Sequence, residues 1–249
     1  MSGHSHYATI KRQKETKDSQ RGKLFSKLSR AISIAVKTGE GPDPETNYKL
    51  RVAVEVAKDA NMPKGNIERA LKKADGEGES VEEIKYEGFG PGGIAVYVEV
   101  ATDNRNRTSQ EIKNLFEKGE GNLGGPGSVS FNFEAKGLIV VEKKVDVEEQ
   151  MLELIDFQAE DVEETADGIE IYCPAEELHN LKDKLGKSGF TVKSAELIQR
   201  PKTLHVVSDE KIVKKAMTLM EIIEEHEDVQ RVFTNLDIPQ EIINRISKD

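Results

Sequence analysis

The chain has 249 residues, of which 36% are hydrophobic and 33% charged, and its formal net charge is −10. That length suits two or three small domains better than one large core, and no apolar run approaches the roughly 18 to 20 residues that span a bilayer. The opening MSGHSHYATIKRQK lacks the apolar segment of a secretory signal, and a single cysteine, Cys173, excludes an internal disulfide framework, so a reducing, cytoplasmic compartment is expected.

The net charge conceals a split. Residues 1–73 hold sixteen Lys and Arg against eight Asp and Glu, a balance of +8, while the remainder carries −18. Such asymmetry suggests a polyanion-binding module joined to a body that repels polyanions. The plainer alternative is two solvated surfaces of unlike composition.

Taken in chain order, the first elements read as helical. From Lys23 to Lys37, apolar Leu24, Phe25, Leu28, Ala31, Ile32 and Ala35 recur at helical spacing. Lys23, Lys27, Arg30 and Lys37 group on the opposite side of the wheel, where Ile34 breaks the pattern. The turn formers of Thr38–Pro44 follow, then a second helix from about Thr46 to Asp59. Asn61-Met62-Pro63 opens a third, with Ile67, Ala70, Leu71 and Ala74 facing inward. Three short amphipathic helices can bury their faces only against one another, which predicts a three-helix bundle over residues 1–78.

Gly76–Ser80 reads as a linker. Beyond it, Glu83–Glu87 and Ile94–Val100 read as strands of a hairpin joined by Gly88–Gly93. A helix from about Arg105 to Lys118, a glycine-rich loop and a strand near Ser128–Phe133 come next. A self-contained β-α-β-β-α-β series then has strands Leu138–Glu142, Asp161–Thr165, Gly168–Cys173 and Thr191–Leu197, with helices Val147–Phe157 and Ala175–Lys187. That order is the ferredoxin-like arrangement. Asp209–Glu227 reads as a long helix, Val229–Asn235 as a strand, and a short helix follows Ile238-Pro239. The expected fold class is α+β in three domains. Residues 79–134 and 206–249 together form a middle α/β sandwich, and residues 135–205 form a ferredoxin-like domain inserted within it.

The candidate binding residues concentrate near the N-terminus. Residues 11–30 carry Lys11, Arg12, Lys14, Lys17, Arg21, Lys23, Lys27 and Arg30 against only Glu15 and Asp18. Cations at this density suit phosphates, and hydroxyls of Ser19, Ser26 and Ser29 add neutral contacts. His4 is a further candidate for phosphate or base contact, and Tyr7 and Phe25 for stacking, although Phe25 reads better as a core residue. A metal pair of His4 and His6 lacks a third ligand. Arg105 and Arg107 fall in the first turn of a helix, next to its positive end. That unfavourable placement leaves an anion contact open beside the plainer reading, simple capping by Asp103 or Asn104.

Enzymatic chemistry and cofactors find no support. Gly88–Gly93 joins two strands and Gly119–Gly127 runs from helix to strand, whereas phosphate-cradling loops lead from a strand into a helix. Gly186-Lys187-Ser188 mimics the end of a Walker A motif, but Leu181 stands where its first glycine belongs. Cys173 precedes Pro174 in a strand and reads as a packing residue. His179, His205 and His226 belong to no nucleophile motif. No enzyme, cofactor or small-molecule substrate is expected.

Four strings carry a family resemblance: GHSHYATIKRQKETKDSQRGKLFSKLSRAI, NMPKGNIERALKK, YEGFGPGGIAVYVEVATDNRNRT and GNLGGPGSVSFNF. In this order, through about residue 133, the chain resembles the YebC/PmpR family. One departure is His6-Tyr7, where many members have Lys-Trp. The resemblance implies an N-terminal bundle, a middle domain and a ferredoxin-like insertion, in a cytoplasmic or mitochondrial protein. It implies either a DNA-binding transcriptional regulator or a ribosome-associated translation factor that eases stalling on proline-rich stretches. Both need a basic module, so DNA and ribosomal RNA stay open as partners. A reader of duplex sequence would usually present a helix-turn-helix or similar element, which nothing in the bundle demands.

Overall fold

A computed structural model describes residues 19–39, 41–75 and 81–246. The expectations for His4, Tyr7, Lys11, Arg12, Lys14, Lys17 and the Gly76–Ser80 linker lie outside these residues.

The bundle consists of α1 (Ser19–Thr38), α2 (Tyr48–Asp59) and α3 (Lys64–Asp75). Its first helix begins four residues before the expected Lys23, which places Arg21 on it. Leu28, Ile32, Ala35 and Val36 of α1 pack on Leu50, Val54 and Ala57 of α2 and on Ile67, Ala70 and Ala74 of α3. Buried Asn47 pins the α1–α2 turn. Its Oδ1 accepts from the Leu50 N–H at 3.0 Å, and its Nδ2 donates to the Ala35 and Gly41 carbonyls at 2.7 and 2.8 Å. One side chain thus caps α2 and satisfies two otherwise orphaned carbonyls.

The middle domain is built from β1 (Glu82–Phe89), β2 (Ala95–Thr102), α4 (Arg105–Lys118) and β3 (Asn122–Leu123), completed from the far end of the chain. There α7 (Glu210–Glu224) leads into β9 (Val229–Thr234), which pairs antiparallel with β2. The sheet order is β3-β1-β2-β9. Ile112 and Phe116 of α4 and Val213, Leu219, Met220 and Ile223 of α7 cover one face. Beside the sheet, β8 (His205–Val206) runs parallel to β10 (Leu236–Asp237), and α8 (Gln240–Ile246) follows.

Between these halves lie β4 (Phe133–Val141), α5 (Val147–Ile155), β5 (Asp161–Glu164), β6 (Ile169–Pro174), α6 (Leu178–Lys187) and β7 (Val192–Pro201). Their antiparallel order β5-β6-β4-β7 is that of the ferredoxin-like fold. The expected α+β architecture, with its insertion, is therefore present.

The expected strand at Ser128–Phe133 is absent. Ser130–Asn132 forms a 3-10 turn, Phe133 already belongs to β4, and the short β3 pairs with β1 instead. The cause is Glu87, whose buried carboxylate accepts the backbone N–H groups of Gly127, Val129 and Ser130 at 2.8, 2.7 and 2.8 Å. Those donors are withdrawn from any ladder. Burial alone would push the Glu87 carboxyl up, but the three N–H groups hold it below the ordinary glutamate value.

The two sheets pack back to back. Ala95, Tyr97 and Phe233 of the middle sheet meet Leu138, Val140, Tyr172 and Ile198 of the inserted sheet. Strand β2 is thus covered by helices on one side and a sheet on the other, which explains why its sequence AVYVEVAT is apolar on both faces. The bundle touches both neighbours. Val52 of α2 enters the core of the inserted domain, and Glu55 lies 3.0 Å from Lys182 Nζ and 3.1 Å from His179 Nδ1 on α6.

Candidate nucleic-acid interface

The basic face of α1 divides between solvent and the middle domain. Lys23 is exposed. Lys27 Nζ donates to the Glu224 carbonyl at 2.6 Å, and Arg30 Nη1 donates to the Glu227 carbonyl at 2.5 Å. The Glu224 carbonyl at the C-terminal end of α7 lacks a partner within the helix and carries its partial negative charge, so a cation is favoured there, while Glu227 lies in the turn beyond the helix. Two side chains expected on an open phosphate-binding face instead help fasten the bundle to the middle domain. An amphipathic wheel identifies the polar side of a helix without revealing what covers it.

Asp228 stands at the centre of that junction and is wholly buried. Its Oδ1 lies 2.9 Å from Arg30 Nη1, and its Oδ2 accepts from Arg107 Nη2 at 3.0 Å. Thr108 Oγ1 donates to Oδ2 at 2.7 Å, with Thr102 Oγ1 at 3.1 Å. Burial would raise the Asp228 carboxyl, yet the Thr108 and Arg107 hydrogen bonds, the Arg30 charge and Thr102 together hold it below the usual aspartate value. Arg107 also pairs with Asp103 at 3.2 Å, and its own pKa is raised, chiefly by the hydrogen bond to Asp228. The helix-start arginine singled out for an anion contact therefore has one, and the anion belongs to the chain. Asn104 caps α4 by accepting from the Arg107 N–H, and Arg105 remains exposed.

Glu111, His226 and Asp228 bring their ligand atoms within 4.8 Å of one another. The arrangement is ill-suited to a metal ion. His226 Nδ1 accepts the Asp228 N–H at 3.1 Å, so its Nε2 carries the proton that meets Glu111 Oε2 at 3.0 Å. Two guanidiniums already neutralise Asp228, and a cation placed there would meet their charge.

A different surface gathers cations around open space. Between α1 and α3 runs a groove of about 430 Å³, walled by Ser26, Ser29 and Ser33 and carrying Arg30, Lys37, Arg69 and Lys73. Phe25 forms part of its wall, with Asp103 and Val81 on the side of the middle domain. Arg69 is held along its own helix, its Nη2 donating to Asn66 Oδ1 at 2.7 Å, and Lys37 Nζ reaches the Val81 carbonyl at 3.4 Å. Of the contact residues expected from the sequence, Arg30, Ser26, Ser29 and Phe25 line this groove. Lys37, Arg69 and Lys73 escaped notice as site residues because they converge only once α1 and α3 are packed. The one available signal was the basic spacing of Arg69 and Lys73 on the face beside inward Ala70 and Ala74.

The Cys173 thiol is buried, and burial together with the charges of Glu160, Glu177 and Glu176 pushes it up to about 11. No helix among the described residues is long and apolar enough to cross a membrane.

Fold and junction together define a three-domain α+β protein, in which a basic helical bundle is ion-paired to a discontinuous middle domain bearing a ferredoxin-like insertion. The chain belongs to the TACO1/YebC family: residues 5–77 match its N-terminal domain, and residues 81–236 its second and third domains. A probable transcriptional regulatory protein of Aquifex aeolicus is 48% identical over 249 residues, covering 99% of this chain and 100% of that protein. A protein of the same description from Methylacidiphilum infernorum is 47% identical over 98% of this chain and 99% of its own. The crystal structure of a conserved hypothetical protein from Aquifex aeolicus superposes with a TM-score of 0.83 at 46% identity, covering 91% of this chain and 96% of that one. The resemblance read from the four sequence strings is borne out.

Proposed function

We propose that this protein regulates gene expression in the cytoplasm by binding nucleic acid through its helical bundle, without enzymatic chemistry. The supporting observation is the convergence of Lys37, Arg69 and Lys73 around one groove of a domain that carries a balance of +8 in residues 1–73. Phosphates repay such a concentration of cations by counterion release, while the acidic remainder of the chain keeps the polyanion to that one domain. The description shared by the relatives favours DNA as the target and transcription as the process. A second reading, ribosomal RNA and translation, draws support from the junction at Asp228: α1 is held against the body by Arg30 and is not presented as a projecting recognition helix.

A competition binding assay at near-physiological salt tests the proposal, offering the intact protein a genomic DNA library, nonspecific duplex and purified ribosomes. Enrichment of particular DNA sites that survives nonspecific competitor supports transcriptional regulation. Capture by ribosomes, with only weak and salt-sensitive DNA binding, transfers the function to translation. Absence of binding to all three would overturn the proposal.

A further inference from the structure

We infer that the groove between α1 and α3 takes an extended, unpaired nucleic-acid strand, with its phosphates along the α1–α3 cations. The inference rests on the bundle being the nucleic-acid-binding domain, and it goes further by naming the form of the ligand. Three features lead to it.

The first is shape. Duplex nucleic acid presents its own grooves and is read by a convex protein element entering them. Here the protein supplies the concavity, and a volume of about 430 Å³ admits a nucleotide-sized group, within the roughly 300–1,000 Å³ of small-ligand sites. A groove of this volume holds a nucleotide-sized group and is too small for two strands wound together, so an unpaired strand is the form of nucleic acid that fits it.

The second is the disposition of charge. Lys37 stands on α1, next to an Arg30 whose charge is already met by Asp228, and Arg69 and Lys73 stand on the facing α3, so cations border the concavity from both walls. Asp103 contributes the opposing charge on the side of the middle domain, and it repels phosphate. A strand therefore keeps its backbone along the two helices.

The third is what the walls offer besides charge. Phe25 is half-buried, packed on the edge of the bundle core, and lies in the wall of the groove. Base stacking on an aromatic face tolerates any sequence and requires that the base be out of a duplex. Ser26 and Ser29 place hydroxyls on the same wall, suited to phosphate or sugar oxygens. The unpaired strand can come from an RNA loop or from opened DNA, whose chemistry along the backbone is shared.

Fluorescence anisotropy of the full-length protein with labelled 12-nucleotide single-stranded DNA, single-stranded RNA of the same sequence and the matching DNA duplex provides the test. The double variant Arg69→Gln/Lys73→Gln is compared with wild type and with Lys64→Gln, a charge removed from an exposed position of α3 that is not part of the groove wall. Removing two phosphate contacts should weaken single-strand binding on the order of tenfold at about 0.15 M salt and flatten the log–log salt slope by about 1.4. Lys64→Gln should leave both nearly unchanged, and the duplex should bind more weakly than either strand. A preference for RNA over DNA identifies the source of the strand as RNA, and equal affinity identifies the backbone alone as the determinant. If the duplex binds as tightly as the strands and the double variant behaves like Lys64→Gln, the inference is overturned while the bundle's role stands. If no nucleic acid binds wild-type protein, the underlying reading falls with it. Circular dichroism of the double variant should match wild type, because Arg69 and Lys73 are exposed.

Discussion

Arg30, on the first helix of the bundle, places Nη1 2.9 Å from Oδ1 of Asp228, which lies almost two hundred residues later and is wholly buried. Arg107 holds the other carboxylate oxygen from the start of α4. One carboxylate thus joins the bundle to both halves of the discontinuous middle domain, and its neutralisation is shared by two side chains that retain contact with water. Because desolvation of a charge is costly unless paired, this junction is an all-or-none feature: intact, each carboxylate oxygen faces a guanidinium, and with one member missing a buried charge loses its counter-charge.

Asp228→Asn should therefore destabilise the protein by about 2 kcal/mol, less than the roughly 3–5 kcal/mol of a fully buried pair because both guanidiniums reach water. Chemical denaturation at neutral pH measures it. The carboxyl titrates below the ordinary aspartate value in the folded state. Its contribution is accordingly complete above that ordinary value and is lost as pH falls through the folded one. Wild type and variant should converge in acid; an undiminished difference at low pH would contradict the assignment.

Reversing Lys27 and Arg30 to glutamate places two negative charges against the carbonyls of Glu224 and Glu227 and the Asp228 carboxylate. The bundle should loosen from the middle domain while keeping its helices, since its core residues lie on the other side of α1. Small-angle scattering should then report a larger radius of gyration with unchanged helical circular dichroism. Lys23→Glu, at an exposed position, should leave the dimensions as they are.

Glu99 behaves in the opposite sense to Asp228. Burial between the two sheets pushes its carboxyl above the usual glutamate value, against the pull of Arg231 and the Gln199 hydrogen bond at 3.1 Å. In acid the group is protonated in both states and neutral in its effect. As pH rises through the ordinary glutamate value the unfolded chain ionises first, and stability falls until the folded value is passed. Glu99→Gln should raise the unfolding midpoint at pH 7 and leave it unchanged near pH 4, the unperturbed range. A variant less stable than wild type at pH 7 would refute this account.

Gly88→Ala tests the packing beneath the glycine-rich loops. A Cβ there would sit 2.5 Å from a Phe116 ring carbon and 2.7 Å from the Asn122 carbonyl oxygen, the latter on the strand that pairs with β1. Backbone cannot step aside cheaply, and overpacking of this kind costs about 1–3 kcal/mol. Gly93→Ala meets no neighbour and carries only the strain of its φ of +79°, so comparing the two by thermal unfolding separates contact from conformation.

Much of this molecule is legible in the amino-acid sequence alone. The helix over Arg105–Lys118, most of the helix expected at Ala175–Lys187, the main strands of both sheets apart from the short β3 and the start of β4, and the basic character of the bundle follow from period, turn chemistry and charge, which act over a few residues. The ferredoxin-like insertion follows from element order, because few topologies satisfy β-α-β-β-α-β. What the sequence could not determine depends on groups far apart in the chain. Glu87 diverts a would-be strand at Ser128–Phe133 by taking its donors from forty residues away. Arg30 and Arg107 look like phosphate ligands on a helical wheel, yet tertiary structure supplies them with Asp228. Arg69 and Lys73 look like ordinary surface charges until packing of α3 against α1 turns them toward Arg30 and Lys37 around one groove. Local sequence determines which side of an element is polar; only the fold decides which charge that side meets, because electrostatic and hydrogen-bond partners are chosen by distance in space.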